Sequence, residues 1–280
     1  MIDLSAGLSP AALDAIADLE RRVVAADGGR LKLEWNSLRH RSEQDVQDIL
    51  WWDGERLVGF LGIYTHGAPA IELAGMVDPG ARRRGIGSAL LDAGLQLCQE
   101  REHSELLLVV PRSSDGGREL ALRRGGRLDH SEHALQLLDE PAEVPADPRV
   151  TVRAAVPADQ KRIRELMVLG FGWEPPEAEH DPNAHVVELD GEAIGAVRLL
   201  PEGDRAGIYG FAIHPDYQGR GIGRDVLYRL CRMARAGGAT SVHLEVATDN
   251  DRALNLYTSV GFQPVITEDY YALPGVTPSV

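Results

Sequence analysis

The sequence predicts an α/β (α+β) protein built from two tandem domains, each a mixed, mainly antiparallel sheet flanked by helices. Three observations carry this. The chain repeats itself: Met76-Val77-Asp78-Pro79 followed by Arg84-Gly85-Ile86-Gly87 is answered 136 residues later by Ala212-Ile213-His214-Pro215 followed by Arg220-Gly221-Ile222-Gly223. The same offset pairs Leu106 with Val242, Gly125 with Gly261 and Leu137 with Leu273. Within each copy, tight turns at Asp53-Gly54 and Asp190-Gly191 join strands before the chain crosses over through helices. Between the copies, Pro141, Pro145 and Pro148 break the periodicity amid acidic residues, as suits an exposed linker. The expected organisation is a first domain over 1–140, a linker over 141–149 and a second domain over 150–280.

The elements of the second copy follow in order. Val150–Arg153 reads as an edge strand and Lys161–Leu169 as a helix. Strands over His185–Leu189 and Ala193–Leu200 flank the Asp190-Gly191 turn, and Ile208–Ile213 is a further strand. Gly223–Ala236 is amphipathic, with Val226, Leu227, Leu230, Cys231 and Ala234 on one face. A strand over Ser241–Val246, a helix over Asp251–Val260 and a final pair of strands through Leu273 complete it. The first copy repeats this order, and Trp51 and Trp52 are expected to face opposite sides of its sheet.

Size and composition set bounds. A chain of 280 residues with 44% hydrophobic content fits two globular domains, each able to bury its own core. A net charge of −14 argues against a general nucleic-acid binder, which needs Lys and Arg to neutralise phosphates. An acidic surface mildly favours cationic substrates such as amines. Cys98 and Cys231 sit in apolar helical patterns and read as buried thiols. With no signal peptide evident and no apolar run near the ~20 residues of a membrane span, the reading is a soluble cytoplasmic protein, monomer or homodimer, without a membrane partner. No metal-ligand spacing is seen, and no metal is expected.

The turn Gln218-Gly219-Arg220-Gly221-Ile222-Gly223 joins a strand to a helix. Glycines let backbone approach a ligand closely, and the first free amides of a helix, aided by its dipole, make an anion site. Arg220 and Arg224 add charge suited to phosphate. A dinucleotide-binding turn is one reading, but the third glycine spacing is wrong and hairpins precede it. A P-loop lacks its Gly-Lys-Ser/Thr, and a glycine-capped loop with no ligand is the plain alternative.

The run resembles the Q/R-x-x-G-x-G/A signature of the GCN5-related N-acetyltransferase (GNAT) superfamily. Leu244-Glu245-Val246, Asn250, Ala253, Leu256-Tyr257 and Gly261-Phe262 are similar to its second signature, and the resemblance covers most of residues 150–273. It implies acetyl-CoA as cofactor, with the pyrophosphate held by Gln218, Gly219, Arg220, Gly221, Ile222, Gly223 and Arg224. The pantetheine arm would lie beside Phe211, Ala212 and Ile213, with further contacts from Asn250, Ala253 and Tyr257. The reaction implied is acetylation of a primary amine. It needs a base to take a proton from the amine and an acid to protonate the departing thiolate. The Glu245, Asn250 and Tyr257 pattern resembles the ribosomal-protein alanine acetyltransferases, which implies Tyr257 as acid and Glu245 as candidate base. Each has a plainer reading: Tyr257 as core, Glu245 as a solvated strand residue, Asn250 as a helix cap. His243 shares a strand face with Glu245 and reads as structural; His214 belongs to the turn.

The first copy keeps Arg82-Arg83-Arg84-Gly85-Ile86-Gly87, so a second coenzyme A site over Met76, Val77, Arg82, Arg83, Arg84, Gly85, Ile86 and Gly87 remains physically possible. Yet Glu245 corresponds to Val109, Asn250 to Ser114, Tyr257 to Ala121 and Phe262 to Gly126. The first domain therefore reads as catalytically silent. The tandem architecture, and the end pattern Asp269-Tyr270-Tyr271-Ala272-Leu273, resemble the mycothiol synthases, which acetylate the cysteinyl amine of a sugar-inositol thiol precursor. Where that family opens the strand before the turn with an acidic residue, this chain has Gly207. For the acceptor, Phe171 and Trp173 of the segment Phe171-Gly172-Trp173-Glu174-Pro175-Pro176 form an aromatic lip, with Glu174, Glu177 and Glu179 drawing an amine, or the segment is only an exposed acidic loop. A protein N-terminal amino group is the alternative acceptor, and a non-catalytic acetyl-CoA-binding regulatory module the alternative function.

Overall fold

The computed structural model describes residues 1–65, 70–101, 105–172 and 181–274. They divide into two units, one over 1–132 with 266–280 and one over 133–265. Neither follows the repeat boundaries. The final expected strand pair is instead one strand, Gln263–Leu273, and most of it belongs to the first unit.

The first unit holds strands β1 (Ile2–Ala6), β2 (Val46–Asp53), β3 (Arg56–Thr65), β4 (Ile71–Val77) and β5 (Leu106–Pro111), with β12 (Gln263–Leu273) running antiparallel beside β5. All contacts are antiparallel except β4 with β5, which is parallel. Helices α1 (Pro10–Asp27), α2 (Trp35–Arg39), α3 (Ile86–Glu100) and α4 (Asp115–Arg123) complete it. The central strand β3 is buried from Leu57 to Tyr64, reading as a continuous apolar run because helices cover both faces. Two cores result. Trp51 packs into the one formed with α3 and Trp52 into the one formed with α1, as their alternation requires.

The second unit takes the distal half of β6 (Arg127–Leu137), then β7 (Val150–Ala154), β8 (Ala184–Leu189), β9 (Glu192–Glu202), β10 (Arg205–Ile213) and β11 (Ser241–Ala247). Its strand order is β6-β11-β10-β9-β8-β7, with β10 and β11 parallel. Its helices are α5 (Gln160–Phe171), α6 (Ile222–Ala236) and α7 (Asp251–Thr258). Val226, Leu227, Leu230, Cys231 and Ala234 are all buried on α6, the face its periodicity selects. Each large side chain buried there stabilises by about 1.5–3 kcal/mol.

The proline-rich segment is pinned rather than free. Asp225 on α6 accepts the Asp147 amide at 3.0 Å and pairs with Arg229 at 2.7 Å, while Ala142 donates to the Val260 carbonyl. A buried carboxylate needs such partners, and the linker backbone supplies one. Cys98 and Cys231 are free and buried, and burial pushes their thiols up to about 11 and about 12. Among the described residues no helix is long and apolar enough to cross a membrane.

Candidate active site

Two strand-to-helix turns, one in each unit, share a backbone. In the second unit Gly219 and Gly221 have φ +77° and +84°; in the first, Arg83 and Gly85 have φ +63° and +82°. Gln218 donates its side-chain amide to the Ile213 carbonyl at 2.8 Å, and Arg82 closes its own turn by donating to the Val77 carbonyl at 3.1 Å. Gly221 caps α6 and Gly85 caps α3, leaving the first helical amides of each pointing out of the turn.

Their charges differ. Every arginine of the first turn faces a carboxylate of its own unit: Arg82 binds Asp27 at 2.6 Å, Arg83 binds Glu119 at 2.8 Å and Arg84 lies 3.7 Å from Asp53. Arg220 instead lies over the Tyr217 ring, 5.3 Å from its centroid. Among the described residues no carboxylate pairs with Arg220 or Arg224. Among the described residues, the second turn leaves its cationic charge unpaired where the first pairs it within its own unit.

The strands beside the turns differ too. Parallel pairing of β10 with β11 runs from Arg205–Ser241 to Gly207–His243. Beyond that rung β10 slips in register against β9 between Tyr209 and Ala212, with Gly210 at φ +56°. Such a bulge turns a strand away from its neighbour. An edge over Ile208–Ile213 is thereby available to an extended ligand. In the first unit β4 pairs with β3 without a slip, and its pairing with β5 continues to Ala74–Val109. Val109 is the counterpart of Glu245, so this edge is zipped to the level of the candidate base.

Phe211, Ala212 and Ile213 thus lie along the opened edge, with Ala212 and Ile213 held by β9. Glu245 alternates with the buried Leu244 and Val246, placing it on the face away from α6. Asn250 caps α7 by accepting the Ala253 amide at 3.0 Å, as Ser114 caps α4 by accepting from Gly117 at 3.2 Å. Tyr257 is buried, its ring 6.2 Å from that of Phe262, and burial pushes its hydroxyl up to about 12. It therefore stays protonated at neutral pH and is a donor. In the first unit Met76 and Ile86 are core residues and Val77 packs partly buried.

The end pattern serves the first unit, not the second. Asp269 accepts from Arg112 at 2.6 Å and from Ser131 at 2.8 Å. Tyr270 stacks on His130 at 4.2 Å and donates to Glu132 at 2.7 Å. Lys32 contacts Tyr270 and sits 3.4 Å from Glu72, beside a small recess lined by Ala74, Gly75, Val109, Pro111 and Glu268. Phe171 ends α5 with its side chain exposed; Trp173, Glu174, Pro175, Pro176, Glu177 and Glu179 lie outside the described residues.

A polar cluster that the sequence did not expose lies at the last β10–β11 rung. Tyr209 donates to Glu202 Oε1 at 2.9 Å, and His243 Nε2 lies 3.3 Å from the Tyr209 hydroxyl and 3.4 Å from Glu202 Oε2. Burial would raise the Glu202 carboxyl, but His243, Tyr209 and Arg205 outweigh it and hold it below the ordinary range. Gly207 and Gly210 inside one strand were the available signal.

The Acetyltransferase (GNAT) family model matches residues 13–125 and 153–262. A mycothiol acetyltransferase of Kytococcus sedentarius is 31% identical over 95% of this chain and 96% of its own length. The N-alpha-acetyltransferase RimI of Mycobacterium tuberculosis is 39% identical over 45% of this chain and 87% of its own. A GCN5-related N-acetyltransferase from Sphaerobacter thermophilus superposes with a TM-score of 0.80 at 20% identity, covering 98% and 97% of the two chains. A tandem GNAT protein from the clavulanic acid biosynthesis pathway gives 0.69 at 17%, each chain covered in full. With the paired turns and the matched signatures, these place the chain in the GNAT acetyltransferase family, as a tandem member and an acetyl-CoA-dependent acyltransferase.

Proposed function

We propose that the second unit transfers acetyl from acetyl-CoA to a primary amine of a small molecule, and that the first unit does not turn over. The observation that carries this is the opened edge of β10 beside a turn whose arginines pair with no carboxylate among the described residues. The residues present fit coenzyme A. The amides at Gly219–Gly223, with Arg220 and Arg224, suit its pyrophosphate, and Phe211–Ile213 offer backbone to its pantetheine arm. When bound, it supplies an activated thioester.

The chain's own groups do the rest. Glu245 receives a proton from the acceptor nitrogen, and Tyr257 donates one to the departing sulfur. Asn250 uses its oxygen for the cap and keeps its amide hydrogens for the cofactor. The first unit has Val109 and Ala121 where the second has Glu245 and Tyr257, neither able to exchange a proton with thiolate or amine. A small acceptor is favoured by the relative that matches end to end, whose name denotes one. Gly207, at the place of that family's acid, leaves the particular amine open to test. A protein α-amino group is the second reading, favoured by the 39% identity to RimI over 45% of this chain.

Thiol release from acetyl-CoA across amino sugars, cysteinyl amines and alanine-initiated peptides is the test. Tyr257→Phe should lower turnover about 100-fold or more while acetyl-CoA affinity stays unchanged. Full activity in that variant removes the acid from Tyr257. Binding of acetyl-CoA with no transfer to any amine would favour the regulatory reading.

A further inference from the structure

We infer that Met167 of α5 measures the donor's acyl chain in the second unit. Its thioether methyl lies on the β10 bulge at the level where the thioester ends, leaving room for acetyl and not for longer acyl groups. The inference deepens the acetyl-transfer reading and rests on it, in that the pantetheine arm lies along Phe211–Ile213.

The bulge turns β10 over. Before it, Ala206 and Ile208 pack in the core with α6; after it, Phe211 and Ile213 do. Even positions beyond the slip therefore look the other way, toward α5. A Cβ built at Gly210 would come within 2.8 Å of Met167 Cε, and one at Gly170 within 2.8 Å of the Ala212 Cβ. Helix α5 thus presses its C-terminal half onto the strand at two points. The Gly170 backbone meets Ala212, and the half-buried Met167 meets Gly210. Glu245 also lies on the face away from α6, so Met167 and the candidate base share one side of the sheet.

Chain order puts the reacting carbon at this level. With its phosphates at Gly219–Gly223, coenzyme A runs along β10 past Ile213, Ala212 and Phe211, and the next residue is Gly210. The first unit gives the same level independently. At the 136-residue offset the counterparts of Gly210 and Glu245 are Ala74 and Val109, and these are rung partners where β4 and β5 stay paired. The acyl carbon then sits between Gly210 and Glu245. On the turn side, Gly170 against Ala212 closes the gap between helix and strand, so a longer tail runs into Met167.

Acetyl ends in a single methyl. Each further methylene has to displace the Met167 thioether, and one methylene in an apolar slot is discriminated by about 10–200-fold. Methionine is unbranched and adaptable, so propionyl meets a soft barrier and butyryl the whole of it. The transfer step is the same for any acyl group. The C–N bond forms and the C–S bond breaks, while Glu245 takes a proton from nitrogen and Tyr257 gives one to sulfur.

Calorimetric titration of the full-length protein with acetyl-, propionyl- and butyryl-CoA, without amine, decides it. Wild type should bind acetyl-CoA at least about tenfold more tightly than butyryl-CoA, with propionyl-CoA between. Met167→Ala should shrink that ratio about tenfold, and Met167→Leu, which conserves volume, should keep it. Each donor meets the same protein, so a loss of folding stability or of shared coenzyme A contacts cancels in the ratio. With an accepted amine, the ratio of kcat/KM between donors should move in the same sense. Equal affinity of wild type for butyryl- and acetyl-CoA, or Met167→Ala with the wild-type affinity ratio, overturns the inference. A protein that shows these ratios but transfers to no amine defeats the transfer reading alone; one that binds no acyl-CoA defeats both.

Discussion

Arg82 and Gln218 close their turns in the same way, onto the carbonyls of Val77 and Ile213, and Ser114 and Asn250 cap the following helices alike. The two units part only around that shared frame. One surrounds its arginines with Asp27, Glu119 and Asp53 and pairs β4 with β5 to Val109; the other, among the described residues, gives Arg220 and Arg224 no carboxylate and stops pairing at His243. A turn backbone is therefore no proof of a ligand site. Helix capping and strand closure preserve it by themselves, while ligand binding additionally needs unspent charge and an unpaired strand edge. The contrast predicts that equivalent substitutions will have unequal consequences.

The largest difference is expected at the paired glycines. Gly221 and Gly85 hold φ near +84° and +82°, where a β-branched residue is strongly disfavoured. Gly221→Val should weaken acetyl-CoA binding tenfold or more, since about 1–2 kcal/mol of backbone strain falls on the amides that grip phosphate. Gly85→Val should leave affinity and turnover untouched. Calorimetric titration of both variants decides it, and equal losses would mean that the first turn binds cofactor.

A smaller effect is expected at the bulge. Gly210 sits at φ +56°, and a Cβ there would come within 2.8 Å of Met167 Cε. That methyl is the end of a flexible side chain, so part of the clash can relax. Gly210→Ala should therefore reduce acetyl-CoA affinity by only several-fold, about 1 kcal/mol. Its counterpart Ala74→Gly should not open the first unit, because β4 keeps its register with β3 and its rungs with β5. Gain of a second bound acetyl-CoA in Ala74→Gly would break the comparison.

The units should also answer pH in opposite senses. In the first, burial raises the Asp48 carboxyl to about 6 despite Arg41 at 3.0 Å. Its folded value lies above the unfolded one, so the native state holds the extra proton between about pH 4 and 6. Its contribution to stability grows as pH falls through that window and is lost as pH rises through 6. In the second, Glu202 is held below its ordinary value of 4.5, so its contribution persists above that pH and disappears as pH falls through the folded value. Hydrogen exchange followed unit by unit should show the first gaining protection from pH 6 to 4, by at most about 1.4 kcal/mol per pH unit. The second should lose protection only below 4.5. Asp48→Asn should abolish the slope in the first; a slope that survives it belongs to other groups.

Much of this frame was legible in the sequence because it is local. Periodicity alone marks the buried face of α6, the Asp-Gly turns mark the hairpins, and opposite burial of Trp51 and Trp52 follows from strand alternation. What the sequence hid is non-local. No pattern along β12 says that Asp269 and Tyr270 will serve the first unit through Arg112, Ser131 and Glu132, since strand pairing is settled by packing and not by propensity. His243 read as a lone structural histidine because Glu202 and Tyr209 lie 41 and 34 positions away and meet it only through the sheet. Likewise, the three arginines at 82–84 looked more basic than the second turn. Their neutralisation required knowing that α1 and α4 bring Asp27 and Glu119 to them.

Arg83 gives the smallest and finest test. It stands at φ +63° where the second turn has Gly219 at +77°, so a side chain occupies a left-handed position that only glycine adopts freely. Three terms bear on Arg83→Gly. Strain is relieved in the folded state, the unfolded chain gains freedom that opposes folding, and an exposed pair with Glu119 is lost. Each is small and the first opposes the other two, so the melting transition of the first unit should stay within experimental scatter. Acetyl-CoA stoichiometry should also stay at one, because Arg82 and Arg84 keep their carboxylates and β4 stays zipped to β5. A rise to two on this single change would mean that Arg83, rather than the closed strand edge, is what keeps the cofactor out.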